Sequence, residues 1–498
     1  MQADTRSSDP TEVHEVVVVG AGFAGIGAAI RLRQAGVECV VLEKGSEIGG
    51  VWRDNSYPGC GCDVPSALYS YSFAPNPRWS RLFAKQEEIK KYTRDTAEKF
   101  GVLDRVRLRH ELTEARWDAS HGRWRLQTHA GVFWARFVVM ACGPMHVPVV
   151  PRVPGLDTFT GVHFHSSRWD HRFGMQGKRV AVIGSGASAI QFVPHIAQQV
   201  SQLTLFQRTA PWVLPKLDAP IAPRWQALFA KHPWTQSLFR TALYLQFELL
   251  NASLNYPWLL KRIQAQGVKN IKRGVKDTAL RARLVPDYSV GCKRILLSNT
   301  WYRTLAQPHV QVVPDVVSIQ GTTVTASDGS TCEADAIVFA TGFEVANPPI
   351  AHCIVGQSGS TLAAQWQGSP TAYLGTMTQD CPNLFLTFGP NLYTFSSAFV
   401  IIEAQLKFIV SAITTAQRQG IASIAVDPVR HARYNQKIQA ALQTTVWNSG
   451  CTSYFLDKNG RNSTNWPWTT FTMRRRLARF VVNDFLTTPI TPSKKNPP

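Results

Sequence analysis

An α/β fold of two doubly wound parallel sheets, the second carrying a helical insertion, is predicted by three features of the chain. A β-branched run, residues 15–19, feeds directly into a glycine turn, Gly20-Ala21-Gly22-Phe23-Ala24-Gly25. The same arrangement recurs at residues 178–183 and Gly184-Ser185-Gly186-Ala187-Ser188-Ala189. An aromatic stretch of helical spacing, 238–260, and a basic run, 261–294, then follow within the second unit. At 498 residues the chain is too long for one core, and its 44% hydrophobic and 17% charged residues are those of a globular protein.

The first unit is justified element by element. A short run rich in Val that ends in glycine reads as a buried parallel strand. Residues 26–34 have helical spacing and stop near Gly36, and residues 38–42 form a second strand ending in Glu43. This is a Rossmann-like dinucleotide-binding pattern, with the acid about twenty residues beyond the glycines. Gly20 permits the tight turn, Gly22 lets the backbone approach a pyrophosphate, and Gly25 lets helix and strand pack closely. Ala24 lies in the first helical turn, whose free N–H groups and dipole attract phosphate. Glu43 is placed to accept hydrogen bonds from a ribose diol.

The second unit differs at two positions. Ala189 replaces the third glycine, a tolerated change. The strand at 202–206 ends in Gln207, Arg208 and Thr209 rather than in an acid. A carboxylate there repels a 2′-phosphate and an arginine pairs with it. This site, with Gly184, Gly186, Ser188, Ala189, Arg208 and Thr209, is therefore expected to take NADPH in preference to NADH. Segments ending at Gly143 and Gly342 are strand-like and are expected to carry the chain between the units. Residues 382–391 read as another strand and loop beside the first cofactor.

Charge and cysteine usage narrow the function classes. The net charge is +20, and ten Lys or Arg fall between Lys261 and Arg294 against only Asp277 and Asp287. No nucleic-acid-binding motif accompanies them, so nucleic acid is not an expected partner. The nine cysteines form no CxxC and no Cys/His cluster. That pattern predicts no disulfide framework, no metal site and a reducing, cytoplasmic location. The polar N-terminus has no apolar signal core, and no transmembrane helix is expected. Within the insertion, Phe239, Leu243, Phe247, Leu250 and Leu254 recur at helical spacing. They read as a helix packed on the second unit. Joined to Lys269, Lys272 and Arg273, the stripe also reads as a helix resting on an anionic membrane.

Two longer patterns carry a family resemblance. Phe159, Gly161, His165, Trp169 and Asp170 match FxGxxxHxxxW(P/D), and Gly49, Gly50, Trp52, Tyr57, Pro58, Gly59 and Asp63 match a second long motif. From about residue 14 to about 480 the chain resembles the Baeyer–Villiger monooxygenases, oxidoreductases that use FAD, NADPH and O₂. Residues 1–14 read as a flexible tail; the resemblance implies an FAD domain from 15–148 and 345–498, and an NADP domain at 149–344 with a helical insertion at about 215–290. It implies conversion of a small, lipophilic ketone to an ester or lactone through a C4a-peroxyflavin and a Criegee adduct. It assigns Arg294 as the catalytic cation, with Asp63 orienting it and touching the flavin, and Lys293 to the 2′-phosphate. Val51, Trp52 and Tyr69 join the flavin site. Trp447 is implied to sit on a loop closing over NADP, although an ordinary core position fits it equally. His165 is read as structural or conformational, not as a base. Three other readings share parts of the pattern. They are a flavin-containing monooxygenase acting on nitrogen or sulfur, a pyridine-nucleotide disulfide reductase, and a non-catalytic FAD-binding module. The second needs a redox-active cysteine pair, and Cys60 and Cys62 have the wrong spacing for it.

Overall fold

The computed structural model of the chain describes residues 12–253 and 256–490. The first parallel strand, Val13–Val19, starts inside the expected 1–14 tail, because Val13 and His14 already pair with Trp134 and Ala135. Residues 1–11 of that tail, and Leu254, lie outside the described residues.

The eight-stranded first sheet is centred on Val13–Val19, flanked by Cys39–Glu43 on one side and Gly131–Met140 on the other. Its strands come from both ends of the chain, since Leu384–Leu386 pairs in parallel with Gly131–Met140. An antiparallel meander, Leu112–Asp118, Arg123–Thr128 and Gly131–Met140, extends the sheet. The second sheet has five strands, all parallel. Their order is Val310–Val313, Gln202–Phe206, Arg179–Ile183, Ala336–Phe339 and Val162–His165. A small antiparallel sheet, Val316–Gln320, Thr323–Ala326 and Thr331–Glu333, packs beside it through Ile319 and Val324.

The two connections between the sheets run side by side. Val149 N donates to Gly342 O at 3.0 Å, and Glu344 N donates to Val147 O at 3.0 Å. Gly143 and Gly342 both take positive φ at this crossing. The chain thus leaves the first sheet and returns to it along a single two-stranded strap.

Among the described residues one helix, Ala398–Gln419, is long and apolar enough to cross a membrane. It instead packs in the core: Phe399 lies 4.4 Å from the Phe23 ring and 4.7 Å edge-on from Tyr71. The insertion is built from the helices Pro223–Lys231, Pro233–Ser253, Pro257–Gly274 and Thr278–Leu284. Its long helix does not lie on the second unit as the sequence suggested. Gln236 and Arg240 donate to the carbonyls of Asn76 and Ala67, and Glu248 accepts from Thr470, all within the first unit. The cause is a polar face, which finds carbonyl and hydroxyl partners there, whereas the apolar stripe at Phe239, Leu243, Phe247 and Leu250 is only half-buried.

Candidate active site

The two glycine turns fold alike. Gly20 has φ +104° and a Cβ there would sit 2.6 Å from Ala141 O; Gly184 has φ +104° and would meet Ala340 O at 2.6 Å. A Cβ on Gly25 would lie 1.7 Å from Gly20 O, so only glycine allows this helix its approach to the turn. Each helix that follows, Phe23–Gln34 and Ala189–Ile196, points its N-terminus at the turn. The first-turn N–H groups of a helix have no intrahelical acceptors, which suits a pyrophosphate. Ala24 is buried in that first turn, Ser188 is the N-cap of the second helix, and Ala189 is fully buried.

Glu43 does more than wait for a ribose. Its carboxylate accepts from Ala21 N at 2.8 Å, from Gly45 N at 2.7 Å and from Arg53 Nη1 at 2.7 Å. It therefore shapes the glycine loop itself. A carboxylate offers about four acceptor positions, so one remains for a diol. Arg53 was not legible as part of this site, because nothing local marks its pairing with Glu43 and Asp54.

The long motifs meet at one residue. Tyr57 packs edge-on to Phe192 at 5.9 Å, and Trp169 contacts the same ring at 5.2 Å. Gly61 N donates to Gln191 Oε1 at 2.8 Å. The segment bearing Asp63 is thus fixed to the helix Ala189–Ile196 of the second unit. On its other side Val51 and Trp52 begin the short helix Val51–Asp54. Trp52 Nε1 donates to Tyr69 OH at 3.2 Å, with the rings edge-to-face at 5.7 Å.

His165 ends the strand Val162–His165 and is buried. Its Nδ1 lies 2.9 Å from Ser167 Oγ and accepts from Ser167 N at 3.1 Å, and the ring also meets the Gly342 backbone. Burial pushes its pKa down to about 4, so the ring is neutral near pH 7 and serves as a packing group. The unfolded chain takes up this proton below the ordinary value of about 6.5, whereas the folded one resists until about 4. The stability this ring contributes is complete above pH 6.5 and is lost as pH falls toward 4, by about 3 kcal/mol. Urea midpoints at pH 7 and 4.5 check this: His165→Gln should lose less on acidification than the parent protein. An equal loss in both would remove the assignment.

Arg294 and Asp63, 231 residues apart, form the central pair. Arg294 Nε donates to Asp63 Oδ2 at 2.9 Å and Nη2 to the same oxygen at 2.5 Å. Arg294 Nη1 donates to the Tyr393 hydroxyl. Burial opposes the guanidinium charge, but Asp63 and Tyr454 outweigh it and hold the pKa above its ordinary value. The cation is therefore permanent. Tyr393 and Tyr454 are additions to the expected set, and only folding brings them here.

Lys293 and Arg208 come together as a second cationic place. The Lys293 pKa is lowered by burial first and then by the Arg208 charge. Lys293 Nζ sits 4.7 Å from the Tyr288 ring centre. Arg208 is exposed at the end of Gln202–Phe206, and the turn beside it is tied by Ser185 Oγ donating to Thr209 O at 3.1 Å. Two cations that feel each other here, with Asp287 the opposing charge at Lys293, suit a phosphate. Trp447 is buried and stacked on Phe395 at 6.1 Å, with its indole N–H lacking a protein acceptor. The structure thus gives it a core position with a donor to spare.

The cysteine expectation needs correction. Cys292 and Cys451 form a disulfide, with Cα atoms 6.2 Å apart and 159 residues between them in sequence. Spacing along the chain could not show this pair, since it joins the Arg294 segment to the segment after Trp447. One bridge is not a framework, but it removes the cysteine argument for a reducing compartment. Seven cysteines are free, so thiol titration of the unreduced, denatured protein should find seven groups. Nine groups would show the bridge unformed. Closing so long a loop limits the unfolded chain by about 5 kcal/mol in the chain-entropy model, so reduction should lower the melting temperature.

This geometry agrees with comparisons to known proteins. Residues 13–363 match the family model described as flavin-binding monooxygenase-like. A Baeyer–Villiger monooxygenase of Streptomyces coelicolor is 46% identical over 95% of this chain and 93% of its own. One from Pseudomonas aeruginosa is 39% identical over 96% and 92%. Among solved structures, cyclohexanone monooxygenase from Rhodococcus sp. Phi1 bound to NADP⁺ superposes with TM-score 0.87 at 26% identity, covering 96% of this chain and 99% of that one. An oxidised steroid monooxygenase bound to NADP gives 0.83 at 30% identity, covering 94% and 97%. The chain belongs to the flavin-binding monooxygenase-like family. Within it, the chain is a Baeyer–Villiger monooxygenase, as its relatives over nearly the full length are.

Proposed function

We propose that the protein uses FAD, NADPH and O₂ to convert a lipophilic ketone to an ester or lactone, with Arg294 as its catalytic cation. The observation that carries this is the Arg294–Asp63–Tyr393 cluster, in a chain that also holds two glycine cradles. The overall change is ketone, O₂, NADPH and a proton giving ester, NADP⁺ and water. The FAD unit comprises 13–148 and 345–490 and the NADP unit 149–344.

Gly20, Gly22, Ala24, Gly25 and Glu43 would hold the FAD pyrophosphate and ribose, and Val51, Trp52, Asp63 and Tyr69 its reactive end. Gly184, Gly186, Ser188, Ala189 and Thr209 would hold NADPH, with Arg208 and Lys293 on its 2′-phosphate and Trp447 donating its free N–H. When bound and reduced, the flavin supplies the oxygen atom taken from O₂. The chain's residues do the rest. Arg294 would neutralise the negative charge that develops on the ketone oxygen, and preorganised charge of this kind is a large catalytic term. It cannot act as an acid, so it neutralises without protonating. Asp63 fixes the plane of the guanidinium, and Tyr393 braces its far nitrogen.

The permanent cation favours ketone attack over nitrogen or sulfur oxidation, which needs a protonated oxidant. We place the reaction in the cytoplasm, where NADPH is regenerated, with ketones drawn from a membrane surface. NADPH consumption measured with ketones, amines and sulfides tests the reading. Ketones should stimulate it most and yield esters; stimulation by amines alone, with no ester, would overturn it.

A further inference from the structure

The long helix of the insertion, Pro233–Ser253, buries polar side chains and turns several large apolar ones to solvent. Its buried residues are Gln236, Tyr244, Glu248 and Asn251. Each has a partner inside: Gln236 Nε2 donates to Asn76 O at 2.6 Å, and Tyr244 OH lies 2.8 Å from Thr470 Oγ1. Glu248 accepts from Thr470 N at 2.9 Å, and Asn251 Nδ2 donates to Trp468 O at 3.3 Å. The residues turned outward are Trp234, Leu238, Leu245 and Leu249, the last 73% exposed. An ordinary surface helix places these the other way round.

The neighbouring segments continue the pattern. Trp225, on the helix before, and Tyr256 and Trp258, just after, are also exposed, so the segments that flank this helix in sequence present indole and phenol rings to solvent. Between Asp218 and Asp277 the sequence has a single acid, the buried Glu248. The same stretch exposes Lys261, Arg262, Lys269, Lys272, Arg273 and Lys276. Lys261, Lys269 and Lys272 surround an open groove with Ala265 and Val268 on the helix Pro257–Gly274. Arg262 lies 5.3 Å over the Trp258 ring.

We propose that the outward face of Pro233–Ser253, with Tyr256, Trp258 and the cationic helix that follows, docks on an anionic phospholipid bilayer. Leucines enter the acyl boundary, aromatic rings sit at headgroup depth, and lysines pair with lipid phosphates. The charge decides between occupants. A two-fold dimer would set this patch against its own copy, and a surface carrying only exposed cations repels itself. An anionic membrane complements it. The docking extends the proposed use of membrane-borne ketones, yet its test does not depend on the reaction.

The test is co-sedimentation of the intact holoenzyme with vesicles of phosphatidylglycerol and phosphatidylcholine, or of phosphatidylcholine alone, at low and high salt. Turnover of a water-soluble ketone is measured beside it. Binding should require phosphatidylglycerol and weaken with salt. It should fall at least tenfold in Leu245→Ser/Leu249→Ser and in Lys269→Gln/Lys272→Gln/Arg273→Gln, with turnover intact in both. No binding to phosphatidylglycerol vesicles, or binding unchanged in both variants, would overturn the proposal. So would a solution dimer that Leu249→Ser dissociates, because a second copy would then cover the face. Vesicle binding without ketone turnover would leave the docking standing and count only against the proposed reaction.

Discussion

Arg294→Ala is expected to keep its FAD and lose ester formation by roughly 10³-fold. Loss of a single preorganised donor to a developing oxyanion costs about 10²–10³ in rate, and here the donor is also a full charge. The variant leaves Asp63 without its partner, since both recorded bonds to Asp63 come from Arg294. Flavin reduction by NADPH should persist, because the glycine cradles are untouched. Arg294→Lys should recover little, as one ammonium cannot engage both Asp63 and Tyr393 in the fork a guanidinium offers. The check is ester yield per NADPH consumed. Normal yield from Arg294→Ala would remove this residue from the mechanism.

Arg208→Ala should raise KM for NADPH by roughly 10–100-fold and leave NADH nearly unchanged. A charge-assisted hydrogen bond is worth about 1.5–3 kcal/mol, and only NADPH carries the phosphate that receives it. Lys293→Ala should act in the same direction, because the Arg208 charge reaches Lys293, whose pKa burial and that charge together lower. The two losses should be less than additive, as neighbours sharing one ligand are. Steady-state kinetics with both cofactors measures this. An unchanged NADPH/NADH ratio in Arg208→Ala would sink the 2′-phosphate assignment.

These two residues also mark what a sequence can disclose. Arg208 was legible because its position follows from a local rule: strand, turn, helix, strand, then a residue that faces the ribose. Gly20 and Gly25 were legible for a similar reason, since their contacts with Ala141 and with each other follow from the turn itself. Arg294 and Asp63 became visible only through the family resemblance; 231 residues separate them, and no periodicity connects them. Tyr393, Phe192 and the Cys292–Cys451 bridge had no local signal at all. Each depends on how separate segments meet in space, which spacing does not encode.

The insertion shows a different limit. Helical periodicity revealed the helix but not the unit it packs on. The stripe read as the packing face is half-buried, with Leu243 and Phe247 against the core, while Gln236, Glu248 and Asn251 are buried beside it and Leu238, Leu245 and Leu249, which lie off the stripe, are exposed. Polar side chains can be buried when each finds a partner, and Thr470 and the carbonyls of Asn76 and Trp468 supply them. The antiparallel meander at 112–140 and the small sheet at 316–333 were missed as well. Their alternation is short, and the dominant signal nearby was that of the parallel strands.

The most direct test of the account is turnover of a ketone panel with NADPH under ¹⁸O₂, followed by mass spectrometry of the products. The account predicts an ester or lactone heavier than its ketone by one ¹⁸O atom, formed by the parent enzyme and absent from Arg294→Ala. NADPH oxidation that yields only labelled hydrogen peroxide across the panel, or an ester formed equally by Arg294→Ala, would contradict it.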